Sequence, residues 1–190
     1  MPSRGSSDLD PEVAFGPLGL ESGRVIIVAH DVRWANLFQS LADQIREALD
    51  GLALAIEHVG STAVPGLVAK PILDVLVGIA SFKDGYAMVP ALAKLEFEHR
   101  PDEEIPDRHF FRRLAGGLRT HHLSLAEPGS SHYRRTVGFR EALREDSTLR
   151  AAYGELKAKL ARDYPRDRER YLAGKTEFVL SVLKARGLFG

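Results

Sequence analysis

The 190-residue chain has no cysteine, no surplus of either charge and no long apolar run. Without cysteine it forms no disulfide and holds no thiolate-bound zinc or iron–sulfur cluster. Equal numbers of acidic and basic residues argue against a general nucleic-acid-binding protein. A membrane span needs about 18 apolar residues in a row, and a secretion signal begins with a charged and then an apolar segment; the sequence shows neither pattern. We therefore expect a cytoplasmic protein that binds neither a membrane nor nucleic acid.

Composition and local patterns predict one folded unit with three parts. With 44% hydrophobic and 27% charged residues, the chain can bury a core of ordinary size. Residues 1–23 are rich in serine, glycine and proline and are expected to form a flexible N-terminal segment. Residues 24–130 are expected to form an α/β core, and residues 131–190 a helical region that packs on it.

The predicted elements define an α+β fold whose first half alternates like an α/β protein. Residues 25–28 form a short β-branched run; apolar runs predict strands over 52–59 and 71–79, a short strand or edge over 96–100, and a hairpin of 108–114 with 118–126. Helical periodicity predicts helices over 31–50, 83–94, 131–146, 148–163 and 167–186. We expect a small sheet with flanking helices and a C-terminal helical layer.

Charge is unevenly divided along the chain. Residues 1–133 carry a formal charge of −6, and residues 134–190 carry +6. Two interpretations are open: a basic helical layer packs beside an acidic sheet layer, or the basic half faces an anionic ligand.

The segment between the strands predicted at 52–59 and 71–79 holds the first candidate site. It contains Gly60, Ser61 and Thr62. Glycine lets a ligand approach the backbone closely, while serine and threonine offer hydroxyl and main-chain N–H groups that suit a phosphate. The alternative is a capped turn that only joins the two strands.

Asp74 is the second candidate, because it interrupts the apolar run of a predicted central strand. A carboxylate that loses its hydration there, without a partner, costs roughly several kcal/mol. It therefore needs a cation, a metal ion or hydrogen-bond donors. We favour a functional role, such as holding a divalent cation, over a buried structural ion pair.

His122 lies on the polar face of the last predicted strand. Alternation places Thr120, His122 and Ser124 on one face, and the leucines between them on the core side. Histidine titrates near neutral pH, so His122 can act as a general base or a ligand. The alternative is a structural histidine that only forms hydrogen bonds.

Four cations complete the candidate set. Arg140 and Arg144 recur on one helical stripe, where charged side chains are usually solvated. Lys175 interrupts an apolar helix face, so either its stem runs past the edge to solvent or its ammonium group reaches a cleft. Lys70 is the basic residue nearest in sequence to the glycine–serine segment.

A longer run carries a resemblance to a known family. The residues from His58 to Leu67 read His-Val-Gly-Ser-Thr-Ala-Val-Pro-Gly-Leu, and Lys-Pro-Ile-Leu-Asp follows at 70–74. These runs resemble the signature of the GrpB family, and the resemblance extends over residues 24–186. Further matching residues are Thr120 to Leu123, Phe139, Arg140, Leu143, Arg144, Tyr164, Asp167, Tyr171, Gly174, Lys175 and Phe178.

The resemblance implies a small mixed sheet of the nucleotidyltransferase, DNA polymerase β-like type. In that superfamily a Gly-Ser loop holds a nucleotide triphosphate, and a pair of aspartates spaced Asp-x-Asp holds Mg²⁺. Gly60, Ser61 and Asp74 match these elements. The position of the second aspartate holds Leu76, and Ser124 stands where many similar sequences have histidine. These departures weaken the expectation of a two-metal mechanism.

The leading hypothesis is a protein that binds a nucleotide or another phosphate-bearing small molecule and transfers a nucleotidyl group to an unknown acceptor. Its candidate catalytic residues are Asp74 and His122, and its candidate metal ligands for Mg²⁺ are Asp74, Glu57 and His122. Its candidate phosphate-binding residues are Gly60, Ser61, Thr62, Lys70, Arg140, Arg144 and Lys175. The alternative is a non-catalytic ligand- or partner-binding module of the same fold.

Two geometric predictions follow from the leading hypothesis. Asp74 and His122 should lie on neighbouring strands and face one cleft. Arg140, Arg144 and Lys175 should line the cleft that contains Gly60 and Ser61.

Overall fold

The computed structural model describes residues 17–103 and 105–188, which contain five helices and five strands. The helices are α1 Arg33–Leu49, α2 Gly85–Lys94, α3 Ser131–Glu145, α4 Ser147–Asp163 and α5 Arg168–Ala185. The strands are β1 Ala55–Val59, β2 Leu73–Gly78, β3 Glu98–His99, β4 His109–Ala115 and β5 Leu118–Ala126. The predicted α+β class, with its C-terminal helical layer, is confirmed.

The five strands form one mixed sheet in the order β1-β2-β5-β4-β3. Strands β2 and β5 pair in parallel, and all other neighbours are antiparallel. Parallel neighbours need a long crossover connection, which α2, β3 and β4 supply here. The register places Asp74 of β2 opposite His122 of β5 and opposite Val59 of β1.

Each face of the sheet is covered by a different part of the chain. On one face, α1 and α2 pack their apolar stripes against Val75, Leu123 and Phe111 and form the main core. On the other face, α3 covers a smaller apolar cluster that includes Val59 and Leu76. Because side chains alternate along a strand, Asp74 and His122 lie on this second face, beneath the helical layer.

The described N-terminal residues differ from the prediction. The β-branched run at 25–28 contributes one isolated bridge, from Val28 to Ala69. Most of the expected flexible segment lies outside the described residues. Its described part contacts the fold, since Leu18 and Leu20 are buried and Leu20 exchanges main-chain hydrogen bonds with Arg119.

No helix in the described part of the chain is long and apolar enough to cross a membrane.

Candidate functional site

The Gly60 turn is shaped around a carboxylate. Gly60 ends β1 with φ 70° and ψ −168°, a conformation that is essentially restricted to glycine. A Cβ atom at this position would lie 2.3 Å from Oδ2 of Asp74. The glycine therefore makes room for the Asp74 side chain, and the following residues, Ser61–Ala63, form one short 3-10 turn.

Asp74 and His122 lie side by side on neighbouring strands, as predicted, but His122 is not among the described residues that line the cleft beside Asp74. Nδ1 of His122 lies 3.0 Å from Oδ1 of Asp74, which accepts its hydrogen bond. The expectation of a desolvated carboxylate is wrong, because the Asp74 side chain is 39% exposed. The exposed part of Asp74 stays in contact with solvent, and His122 supplies a hydrogen-bond partner.

A cleft of about 310 Å³ opens between the Gly60 turn and the helical layer. Asp74 is the one carboxylate among the described residues that line it. Helices α3, α4 and α5 form the opposite walls, so the cleft joins the acidic and basic halves of the sequence. Its lining residues are Gly60, Ser61, Asp74, Arg135, Thr136, Phe139, Arg140, Leu143, Tyr153, Lys175, Val179 and Leu183.

Lys157 is a site residue that the sequence analysis missed. Its ammonium group donates to Oγ of Ser61 at 2.8 Å and to the carbonyl oxygen of Val68. Only 2% of the residue is exposed. The available signal was its spacing, since Lys157 follows the core residue Tyr153 by four positions and so shares its helix face.

Three lysines, Lys70, Lys157 and Lys175, lie near the Gly60 turn. The Lys70 and Lys175 nitrogens lie 4.2 and 4.7 Å from the ring centre of Tyr171. Neither has a hydrogen-bond acceptor or an ion-pair partner among the described residues. Burial lowers the pKa of Lys70 and of Lys157 to about 7 and that of Lys175 to about 8. The Lys175 charge lowers the pKa of the other two further, whereas the Asp74 charge raises the pKa of all three.

Arg140 and Arg144 lie near the Gly60 turn, but their guanidinium groups form hydrogen bonds with other protein groups. Arg140 is buried; it donates to Glu57 at 2.7 Å, to Glu141 at 2.6 Å and to the His58 carbonyl at 2.7 Å. Arg144 donates twice to the carbonyl of Ala63, at 3.1 and 2.8 Å. The prediction that these cations line the cleft is thus confirmed for Arg140 and Lys175. It is wrong for Arg144, which binds the Ala63 carbonyl outside the cleft lining.

The structure places Thr62 and Lys70 outside the cleft lining. The Thr62 hydroxyl is buried and lies 2.9 Å from Nε2 of His58. His58 points to the opposite face of the sheet, where its ring stacks on Phe38. Burial lowers its pKa to about 4, so His58 is neutral at pH 7. Thr62 thus stabilises the turn through its contact with His58, and Lys70 lies against the ring of Tyr171.

The residues around Asp74 do not assemble the expected carboxylate set for Mg²⁺. Glu57 accepts from Arg140, and His122 is bound to Asp74 itself. Leu76 is fully buried in the apolar cluster beneath α3. The described residues contain no group of three acidic, histidine or cysteine side chains arranged to hold a metal. Among the described cleft residues, Asp74 is the single carboxylate that could contribute to a cation site.

The fold and the site define an α+β protein with a cleft between a mixed sheet and a helical layer, lined by Lys175 and close to the buried Lys157. The chain belongs to the GrpB family, since the family described as GrpB protein matches residues 24–185. The UPF0157 protein BH1888 of Halalkalibacterium halodurans is 35% identical over 173 residues, which cover 91% of this chain and 88% of that protein.

Solved structures give two further comparisons. The crystal structure of the conserved protein GrpB from Enterococcus faecalis has a TM-score of 0.78 at 28% identity and covers 84% of this chain and 96% of that chain. A structure of the Cid1 poly(U) polymerase with MgGTP bound has a TM-score of 0.49 at 14% identity and covers 72% of this chain and 44% of that chain. The second overlap is too small to support a conclusion about the site.

Proposed function

We propose that the cleft binds a phosphate-bearing small molecule, with nucleotides as the first ligands to test. The observation that carries this proposal is the proximity of three buried lysines: Lys157 contacts Ser61, Lys175 lines the cleft, and Lys70 shares the Tyr171 ring with Lys175. Three ammonium groups share one neighbourhood, and among the described residues Asp74 is the only carboxylate in the cleft lining. An anion with two or more charges offsets this imbalance.

The lowered pKa values support the same ligand class. Lysines lose protons more readily when they are buried near one another, because each charge is desolvated and repelled. A bound phosphate reverses both effects by supplying a counter-charge and hydrogen-bond acceptors. The proposal therefore includes proton uptake on binding near pH 7 to 8, the range of the three pKa values.

The shape of the cleft limits the size of the ligand. A volume of about 310 Å³ is at the small end for ligand sites, so one nucleotide or a smaller phosphate ester fits better than a polymer. The walls away from the lysines are apolar and include Phe139, Leu143 and Val179. These walls suit a base or another flat apolar group beside the phosphate.

Nucleotidyl transfer is a second candidate function, and it rests on Asp74 facing the cleft beside Ser61. Burial of Leu76 in an apolar cluster favours binding without two-metal transfer, because a carboxylate there would have to displace packed side chains. A label-transfer assay with cell extract separates the two functions. Labelled product that disappears in Asp74→Ala supports transfer; binding without product supports the non-catalytic alternative.

Calorimetry tests the binding proposal directly. Inorganic phosphate, ATP, GTP, CTP and UTP are titrated with and without Mg²⁺ into the wild type, Lys175→Met and Lys184→Met. Lys184 lies exposed on the same helix and is the matched control. A lost hydrogen bond to a charged group costs about 1.5–3 kcal/mol, so Lys175→Met should weaken binding about 10–100-fold. The absence of binding by every ligand at several-millimolar concentration would contradict the proposal.

A further inference from the structure

We propose that Ser61 is a nucleophile with Lys157 as its general base, so that the cleft cleaves a carboxylic ester through an acyl-serine intermediate. This activity goes beyond the proposed anion binding and does not depend on it. A serine hydroxyl is a weak nucleophile until a neighbouring group accepts its proton, and serine–lysine pairs are one known arrangement for this purpose.

The geometry provides the three parts that such a pair needs. Oγ of Ser61 and Nζ of Lys157 are 2.8 Å apart, within reach for direct proton transfer. The Val68 carbonyl accepts a second hydrogen bond from the same nitrogen and so fixes its direction. Ser61 also lines the cleft, so its oxygen is open to a ligand while the lysine behind it is almost fully buried.

The surroundings of Lys157 favour the neutral amine that a base requires. The groups that face it are Lys175 from α5, Lys70 from the loop before β2, Asp74 from β2 and the Tyr153 ring, 4.8 Å away on α4. Burial and the two lysine charges lower the pKa of Lys157 to about 7 against the opposing charge of Asp74. Neutral Lys157 can still donate to Val68 while it accepts the Ser61 proton.

The proposed step balances without any further reagent except water. The Oγ–H proton of Ser61 passes to Lys157 as Oγ bonds to the ester carbonyl carbon. The bond from that carbon to the alcohol oxygen then breaks, and Lys157 returns the proton to the departing alcohol. Water repeats the sequence: it gives a proton to Lys157, bonds to the acyl carbon and releases Ser61, which takes the proton back.

The cleft also indicates the class of ester. Lys175 at one side suits an anionic group on the alcohol part, whereas Phe139 and Val179 on the other walls suit an apolar acyl part. The first substrate to use is the simple reactive ester p-nitrophenyl acetate, because it tests the nucleophile without requiring anion recognition.

The experiment measures acetylation of the full chain by intact mass and peptide mapping, together with p-nitrophenol release. We expect acetyl-Ser61 in the wild type, with a rate that rises with pH around 7. Ser61→Ala should abolish the modification at this position. Lys157→Met should reduce the rate at least about 100-fold, within the range typical of a lost general base. Lys159→Met, two positions away and exposed, should leave the rate unchanged.

Two outcomes would overturn the proposal: acetylation confined to lysines, or acetyl-Ser61 that forms equally fast in Lys157→Met. If Lys157→Met does not fold, the wild-type pH profile decides. A rate that rises only at strongly alkaline pH shows that Lys157 is not the base. Failure of this test leaves the calorimetric test of anion binding unaffected, so the two proposals can fail separately.

Discussion

Replacing Gly60 by alanine tests whether the turn is built around the Asp74 carboxylate. The new Cβ atom would lie 2.3 Å from Oδ2 and 3.0 Å from Cβ of Asp74, so the side chain must move and its hydrogen bond to His122 is lost. The backbone conformation alone costs about 1–3 kcal/mol for a residue other than glycine. The displaced, partly exposed hydrogen bond adds about 1–2 kcal/mol.

Gly66→Ala is the matched control for this prediction. Gly66 also has a positive φ, 78°, but an added Cβ atom there meets nothing within 4 Å. The control should cost about 1–2 kcal/mol, the penalty of the left-handed conformation, whereas Gly60→Ala should cost about 2–5 kcal/mol. Urea denaturation followed by the fluorescence of Trp34, which is fully buried, measures both free energies of unfolding. Equal costs, within about 0.5 kcal/mol, would refute the reasoning.

Three further predictions concern groups around the cleft. Lys157 has a pKa of about 7 in the folded state and an ordinary value of 10.5, so the unfolded state binds more protons between these two pH values, and the free energy of unfolding should rise with pH across that range. Thermal melts should show a smaller rise of the melting temperature with pH in Lys157→Met than in the wild type. Arg140→Met should lower the free energy of unfolding, measured by urea denaturation, by about 2–4 kcal/mol, because it leaves the His58 carbonyl and the partly exposed Glu57 without their donor. The exposed control Arg170→Met should lower it by less than about 0.5 kcal/mol. Leu76→Asp should lower the melting temperature instead of creating a metal site, because the new carboxylate enters an apolar cluster; a Mg²⁺-dependent rise in its melting temperature would contradict this.

The sequence predicted the elements that depend on local pattern. Helix α1, the hairpin of β4 with β5 and the break between α4 and α5 all lie at or near their predicted positions, because periodicity and turn chemistry act within a few residues. Strand alternation likewise placed His122 on the polar face and its leucine neighbours in the core. The β-branched run at 25–28 forms only one bridge, since such a run becomes a strand only where a neighbouring strand is available to pair with it.

The site was harder to predict because its partners are distant in sequence. Arg140 and Arg144 have the correct charge and spacing for a phosphate, but Glu57 and the Ala63 carbonyl, about 80 positions away, occupy them. Lys157 was overlooked because lysine in a helical pattern is normally solvated. Its burial depends on how α4 packs against the Gly60 turn, which the sequence of α4 alone does not specify.

The most direct test of anion binding is a crystal structure with the nucleotide that binds most tightly by calorimetry. The account predicts a phosphate group within hydrogen-bond distance of Nζ of Lys175 and beside Ser61, with the rest of the ligand against Phe139 and Val179. A phosphate group bound at another surface, with Lys175 and Ser61 unchanged and free of the ligand, would contradict it.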